Sequence, residues 1–161
     1  MPLTLTPIGT IHTPHTDLAN MPIQPTSAKG VQGWIELDPA YTEGLKDLEG
    51  FSHIILLYHF HQSQGYKLTV TPYLDKTERG LFSTRAPKRP NAIGLSIVKL
   101  LDIIDNRLNI ENIDVLDGTP LLDIKPYVPV FDDQKDVRFG WLEKAREEVH
   151  TKRSDDRFVT N

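Results

Sequence analysis

Residues 95–115 read LSIVKLLDIIDNRLNIENIDV, and this stretch decides the fold. Two apolar arms, 95–104 and 107–115, flank the dipeptide Asp105-Asn106. An acidic or amide dipeptide between two such arms is typical of a tight turn that joins antiparallel strands. The sequence therefore predicts a β-hairpin here.

The second arm of this hairpin contains an irregularity. Its apolar positions fall at Leu108 and Ile110 and resume at Ile113 and Val115, so the alternation slips by one residue near Asn112. One extra residue in a strand defines a β-bulge. We therefore expect a bulge at Asn112.

Further short strands are predicted on both sides of the hairpin. Alternating patterns bounded by proline, glycine or polar residues occur at 3–14, 31–37, 66–73 and 123–126. Residues 52–61, SHIILLYHFH, are apolar on both faces, which predicts a central strand covered on both sides. Helices are expected at 39–48, with Asp38 as N-cap, and at 137–152.

Many short strands with few helices favour an all-β sandwich or barrel. We expect a mainly β fold, a β-barrel with one C-terminal helix. The predicted domain organisation is a barrel over residues 1–135, followed by a helix and tail over residues 136–161.

Composition and charge narrow the classes of function. The 161 residues are 39% hydrophobic and 25% charged, which excludes disordered and fibrous proteins. The sequence has no cysteine, so it has neither disulfides nor cysteine nucleophiles. A recognisable signal peptide and an apolar run of membrane-spanning length are both missing, so we expect a cytoplasmic protein with no membrane contact. Because the net charge is −4, nucleic acid would have to bind through a local basic patch.

One such patch occupies residues 76–90, KTERGLFSTRAPKRP, whose only acid is Glu78. Its cations are Lys76, Arg79, Arg85, Lys88 and Arg89. Two prolines stiffen the segment, and a stiff loop that presents guanidinium groups suits a carboxylate or a phosphate. The alternative is an ordinary solvated loop.

Acidic residues and histidines supply the other candidate groups. Asp117, in the segment LDGT, either caps a turn or faces a ligand. Asp123 lies on a strand face that points either into the barrel or to solvent. The central strand carries histidines at positions 53, 59 and 61, which could bind a metal or donate hydrogen bonds to a ligand. Hydrogen bonding is favoured, because no third metal ligand of suitable spacing follows. We therefore predict no metal.

Four ordered blocks carry a resemblance to a known family. They are PIGTIHTPH (7–15), GLKDLEGFSHIILLYHFHQ (44–62), RGLFSTRAPKRPNAIGLSIVKLL (79–101) and VLDGTPLLDIKPYVP (115–129). In this order the blocks resemble the TsaA-like family, whose characterised members are S-adenosylmethionine-dependent tRNA methyltransferases. The resemblance spans roughly residues 5 to 131.

The resemblance implies a single-sheeted β-barrel that binds S-adenosylmethionine as a homodimer. The implied reaction is N6-methylation of threonylcarbamoyl-adenosine in the anticodon loop of tRNA. The family's cofactor contacts match Gln24, Pro25, Thr26, His61, Gln62, Arg85, Arg89, Leu95, Leu116, Asp117, Gly118 and Thr119. Two departures are noted. Ala92 stands where the family usually has proline, and this sequence ends shortly after one predicted helix, where the bacterial tRNA enzymes have an additional C-terminal domain.

Methyl transfer to an exocyclic amine needs a group that orients the amine and takes its proton. The candidates for this role are Asp123, Asp117 and His61. If tRNA is the substrate, the predicted RNA-binding residues are Lys76, Arg79, Lys88 and Arg89. Two alternatives remain: a barrel that binds S-adenosylmethionine or RNA without catalysis, and a metal-dependent enzyme built on His59 and His61.

Overall fold

A computed structural model of the chain describes residues 1–17, 28–72 and 75–144. Its strands are β1 Gly9–His12, β2 Gln32–Leu37, β3 His53–His59, β4 Thr69–Val70, β5 Arg79–Gly80, β6 Ile93–Ile104, β7 Arg107–Glu111 and β8 Thr119–Pro126. Six of them form a closed antiparallel barrel in the order β1-β2-β7-β6-β3-β8, while β4 and β5 pair separately. The predicted mainly β barrel is confirmed.

The hairpin that decides the fold is confirmed between β6 and β7. Asp105 has a φ of 53°, a positive value of the kind found in two-residue hairpin turns. The turn also docks on the end of β2, because Asn106 Nδ2 donates to the Leu37 carbonyl at 2.7 Å and Leu37 N donates to the Asn106 carbonyl at 2.9 Å. The turn therefore fixes three strands relative to one another.

The bulge expected at Asn112 is confirmed just beyond the end of β7. Asn112 has a φ of 72°, and Asn112 N and Ile113 N both donate to the Val31 carbonyl, at 2.8 and 3.4 Å, so two residues of this arm oppose one residue beside β2. The register shift of this hairpin lies in β6, between Leu100 and Asp102. A second shift lies in β8, opposite Leu57 and Tyr58 of β3.

The barrel interior is filled by alternate residues of every strand. Fully buried members include Ile11, Ile35, Leu56, Val98, Ile110 and Leu121. β3 lies between β6 and β8, as expected of a central strand. Its outer face is only half covered in the described chain, because Ile55 and Leu57 are partly exposed. The expectation of cover on both sides is therefore wrong for this chain alone.

Several strand lengths differ from the predictions. The first strand is confined to Gly9–His12, since Leu3 and Leu5 are exposed. The strand predicted at 66–73 is reduced to Thr69–Val70, and Tyr73 lies outside the described residues. The last strand is longer than expected and begins at Thr119.

The helices that lie wholly within the described residues are short. The 3₁₀ helices span Pro39–Leu45, Leu48–Gly50 and Leu81–Ser83, and one α-helical turn, α1, spans Pro129–Asp132. The helix predicted at 39–48 is confirmed in 3₁₀ form, and the Asp38 carboxylate accepts a hydrogen bond from Ala40 N at 3.0 Å, as the predicted N-cap should. Within the described residues no helix combines the length and apolar character needed to cross a bilayer.

The helix predicted at 137–152 begins later than expected. Residues 142–144 are helical, whereas 137–141 are not. Gly140 has a φ of 56°, and Phe139 N donates to Glu143 Oε1 at 2.9 Å, so these residues form the approach to the helix. Residues 145–152 lie outside the described residues, and the domain division at 135 stays a prediction.

Candidate functional site

Three loops leave the same end of the barrel. Because all neighbouring strands are antiparallel, the ends of β1, β3 and β7 meet the beginnings of β2, β6 and β8. The connections 13–31, 60–92 and 112–118 therefore emerge together, and we call this the loop end. The opposite end, which carries the Asp105-Asn106 turn, is the hairpin end.

Asp117 ties two of these loops together. Its Oδ1 accepts a hydrogen bond from Thr13 N at 3.0 Å and lies 3.3 Å from His12 Nδ1. Asp117 N donates to the His15 carbonyl at 2.7 Å, and Gly118 N donates to the Ile11 carbonyl at 2.9 Å. The turn-capping interpretation and the ligand interpretation of Asp117 are compatible, since its side chain is 39% exposed.

The neighbours of Asp117 face in different directions. Leu116 and Thr119 are buried, and Thr119 Oγ1 donates to the Leu116 carbonyl at 2.6 Å. Gly118 is exposed and has a φ of 84°, a conformation that disfavours a side chain. The DGT turn thus offers a carboxylate and an uncovered stretch of backbone to the loop end.

A buried polar chain, which the sequence analysis missed, supports the same loop. The Tyr58 hydroxyl lies 2.8 Å from Ser96 Oγ, and Ser96 Oγ donates to Asp114 Oδ1 at 2.7 Å, so Tyr58 donates to Ser96. Burial, together with the Asp114 charge, raises the pKa of the Tyr58 phenol well above its usual value. The available signal was Ser96, a polar residue at an inward position of an apolar strand.

Arg85 approaches this chain from the 60–92 loop. It is exposed, and its positive charge opposes the rise in the Tyr58 pKa, which places it within electrostatic reach of the phenol. The Tyr58 phenol is therefore influenced by an acid on one loop and by a guanidinium on another. Arg85 and Asp117 bring opposite charges to the loop end.

The other cations of residues 76–90, which we call the basic loop, divide into two groups. Arg89 Nη1 donates to the carbonyls of Thr84 and Ala86 at 2.9 and 3.0 Å, so it holds the loop in shape. Arg79 Nε donates to Asp75 Oδ2 at 2.8 Å, which holds the pKa of that carboxyl below its usual range. Lys76 and Lys88 are exposed.

Trp141 of the C-terminal segment contacts this loop. Trp141 Nε1 donates to the Ser83 carbonyl at 2.8 Å, and the Arg79 guanidinium lies 5.5 Å from the Trp141 ring centroid. The sequence analysis did not predict this contact. Trp141 thus contacts the loop at Arg79 and Ser83, whereas Arg89 bonds to the carbonyls of Thr84 and Ala86.

Two predicted site residues lie on the outer face of the barrel. Leu57 of β3 is paired with Leu95 of β6 on one side and with Asp123 of β8 on the other, so the three form one row. Leu95 is 46% exposed, and Asp123 pairs with Lys125 at 2.9 Å. Of the two orientations left open for Asp123, the structure has the outward one.

The remaining candidates divide between the loop end and the undescribed part of the chain. His61 and Gln62 form a turn just beyond the end of β3, at the loop end. Gln24, Pro25 and Thr26 lie outside the described residues. In residues 1–17, 28–72 and 75–144, no three metal-ligating side chains converge.

A groove of about 340 Å³ lies at the hairpin end, lined mainly by apolar residues that include Ile8, Leu37, Tyr41, Leu45 and Phe51. Its lining includes the candidate proton acceptor Asp123 but neither Arg85 nor Asp117. The cofactor contacts predicted at Arg85 and Asp117 therefore lie apart from this groove, at the loop end.

Comparison with known proteins identifies a family and several relatives that this chain resembles. Residues 10–133 match the family model of the tRNA-methyltransferase O N-terminal domain. The chain is 52% identical over 154 residues to a probable S-adenosyl-L-methionine-binding protein of Pyrococcus abyssi, covering 96% of the chain and 84% of the relative. It is 34% identical over 148 residues to a tRNA (adenine(37)-N6)-methyltransferase of Escherichia coli, covering 86% of the chain and 63% of the relative.

A solved structure supports the fold as well. The crystal structure of TrmO from Pseudomonas aeruginosa superposes with a TM-score of 0.74 at 42% identity, covering 87% of this chain and 62% of that chain. The chain thus spans somewhat less than two thirds of the Escherichia coli and Pseudomonas proteins. The TsaA-like resemblance is confirmed, and the chain belongs to the family of the tRNA-methyltransferase O N-terminal domain.

Proposed function

We propose that the loop end binds S-adenosylmethionine and that the protein transfers its methyl group to N6 of threonylcarbamoyl-adenosine in the anticodon loop of tRNA. Family membership supports the coarser statement, an S-adenosylmethionine-dependent tRNA methyltransferase. The observation that carries the proposal is that Arg85 and Asp117 lie on different loops that leave the same end of the barrel. We also propose a cytoplasmic location, where tRNA is available.

The groups at the loop end fit the cofactor. S-adenosylmethionine carries a carboxylate, an ammonium and ribose hydroxyls, and Arg85 and Asp117 are exposed groups of the complementary kinds. His61, Gln62 and the backbone of Gly118 add hydrogen-bonding groups at the same end. When bound, the cofactor supplies a methyl group that is already activated by the sulfonium charge.

The protein's part in the reaction is positioning and proton transfer. In the transfer, the N6 lone pair would bond to the methyl carbon while the carbon–sulfur bond breaks with its electrons going to sulfur, and a group of the protein would take the N6 proton. Asp117 and His61 are candidate proton acceptors at the loop end. Asp123, on the outer face, would reach a loop end only if a second protomer supplied it.

A homodimer would bring that second protomer. The outer face of β6 exposes Ile93, Leu95 and Ile97 to 42, 46 and 46%, next to the half-covered Ile55 and Leu57 of β3. A contiguous apolar sheet face of this kind favours association, and a two-fold dimer is the commonest soluble assembly. We infer that a second copy covers this face and that Leu95 and Asp123 complete its partner's cofactor site.

Light scattering tests the dimer. We expect twice the monomer mass at micromolar concentration, and a shift to the monomer for Ile97→Glu, because a buried unpaired carboxylate opposes association. Ile104→Glu is the matched control: Ile104 is on the same strand and 59% exposed, but lies beside the hairpin turn. A wild-type monomer would refute the assembly, and equal masses for wild type and Ile97→Glu would refute this face.

Calorimetry tests the cofactor site. Arg85→Ala and Asp117→Ala should each weaken S-adenosylmethionine binding roughly 10- to 100-fold, the effect of losing a charge-assisted contact. Asp38→Ala, which removes the cap of the hairpin-end 3₁₀ helix, should leave the affinity unchanged. Unchanged affinity in both loop-end variants would reject the site.

Incubation with labelled S-adenosylmethionine and tRNA tests the reaction. We expect label in tRNA, and nucleoside mass spectrometry should place it on threonylcarbamoyl-adenosine. Cofactor binding without transfer to any nucleoside would favour the non-catalytic barrel.

A further inference from the structure

Phe82 is a large apolar side chain presented to solvent on a well-anchored loop. Phe82 is 74% exposed, whereas its neighbour Leu81 is only 1% exposed. The two belong to the 3₁₀ helix Leu81–Ser83, which Thr84 closes by donating from both N and Oγ1 to the Leu81 carbonyl. A single exposed apolar side chain is common on protein surfaces, so the groups around Phe82 decide whether it is a contact for a partner.

The surroundings of Phe82 are cationic. Residues 81–90 contain Arg85, Lys88 and Arg89 and no acidic residue, in a chain of net charge −4. The Arg89 guanidinium lies 5.9 Å from the Phe82 ring centroid, and its bonds to the Thr84 and Ala86 carbonyls orient it there. An exposed aromatic ring among fixed cations is the combination that binds unpaired nucleic acid, where a base stacks on the ring and cations contact phosphates.

We propose that Phe82 is a stacking platform for an unpaired base of the RNA substrate, with Lys88 contacting a neighbouring phosphate. The inference rests on the proposed function, because an anticodon loop supplies unpaired bases. It adds an apolar contact to an interface otherwise composed of charges. The cations would set where the RNA backbone lies, and the ring would select a flipped or looped-out base.

The test is tRNA affinity measured with purified transcript at several salt concentrations. Phe82→Ala should weaken binding roughly 5- to 100-fold, the range expected for one stacked base. Phe82→Trp should bind as tightly as wild type or more tightly. Phe131→Ala is the matched control, since Phe131 is also 74% exposed but lies on α1 outside the basic loop, and its affinity should not change.

Salt dependence separates stacking from charge. Phe82→Ala should keep the wild-type slope of log affinity against log salt, whereas Lys88→Gln should reduce that slope by about 0.7, one single-strand phosphate contact. Equal affinity of Phe82→Ala and wild type overturns the inference, as does a changed dimer mass for Phe82→Ala. If wild type neither binds nor methylates tRNA, the proposed function itself fails, so the two failures are distinguishable.

Discussion

The two ends of the barrel are built for different tasks. The hairpin end is closed by the Asp105-Asn106 turn and by a 3₁₀ helix whose Leu45 is buried, and its groove is mainly apolar. The loop end gathers three loops, a buried polar chain and the cations of residues 76–90. Short connections with apolar contacts stabilise a barrel, while long loops on a rigid frame present ligand-binding groups.

The largest expected loss of stability comes from substituting a glycine at the loop end, Gly94. A Cβ on Gly94, at the loop end, would lie 2.3 Å from Tyr58 Cε2 and 2.7 Å from Phe60 Cζ, because both rings pack over its backbone. Tyr58 is buried and held by Ser96, so its ring has little room to move. Gly94→Ala should lower the free energy of unfolding by about 1–3 kcal/mol in urea denaturation.

Gly44 supplies the comparison at the hairpin end. A Cβ there meets nothing within 4 Å, and Gly44 has no positive φ. Gly44→Ala should leave stability unchanged or raise it by less than about 1 kcal/mol, because alanine restricts the unfolded chain. Equal losses for both variants would mean that the aromatic packing over Gly94 does not constrain the loop end.

The hairpin end was the easier one to predict from sequence. The Asp105-Asn106 turn and the Asp38 cap depend on a few adjacent residues, and both are confirmed. The barrel also followed from strand number and spacing. Local patterns suffice where the interactions that decide a structure are local.

The loop end was predicted less completely, because its interactions join residues distant in sequence. Asp117 bonds Thr13 and Ser96 bonds Asp114, pairings that no local pattern signals. The spacing of the arginines also did not show which of them bond within the 60–92 connection. Arg89 bonds to the Thr84 carbonyl and Arg79 to Asp75. Family resemblance supplied the candidate cofactor residues, and these stay predictions.

Tyr58→Phe is a smaller change at the loop end, since it removes a hydroxyl and keeps the ring. The variant loses the hydrogen bond to Ser96 but leaves the bond from Ser96 to Asp114 in place. At neutral pH we expect a loss of about 1 kcal/mol in unfolding free energy. Tyr41→Phe is the hairpin-end control: Tyr41 is 43% exposed, and its substitution should have no measurable effect.

The stability gap between wild type and Tyr58→Phe should also depend on pH. Because the folded pKa of Tyr58 is raised, the unfolded chain loses this proton first as pH rises past about 10, the ordinary tyrosine value. The unfolded state then binds fewer protons than the folded state, so wild-type unfolding free energy falls with rising pH. The stabilisation is complete below pH 10, and at pH 11 wild type should have lost about 1.4 kcal/mol that the variant does not lose. Urea unfolding between pH 8 and 11 measures this gap, with Tyr41→Phe expected to follow wild type throughout. A gap between wild type and Tyr58→Phe that stays constant with pH would contradict the prediction, because the Tyr58 phenol would then titrate like an exposed one.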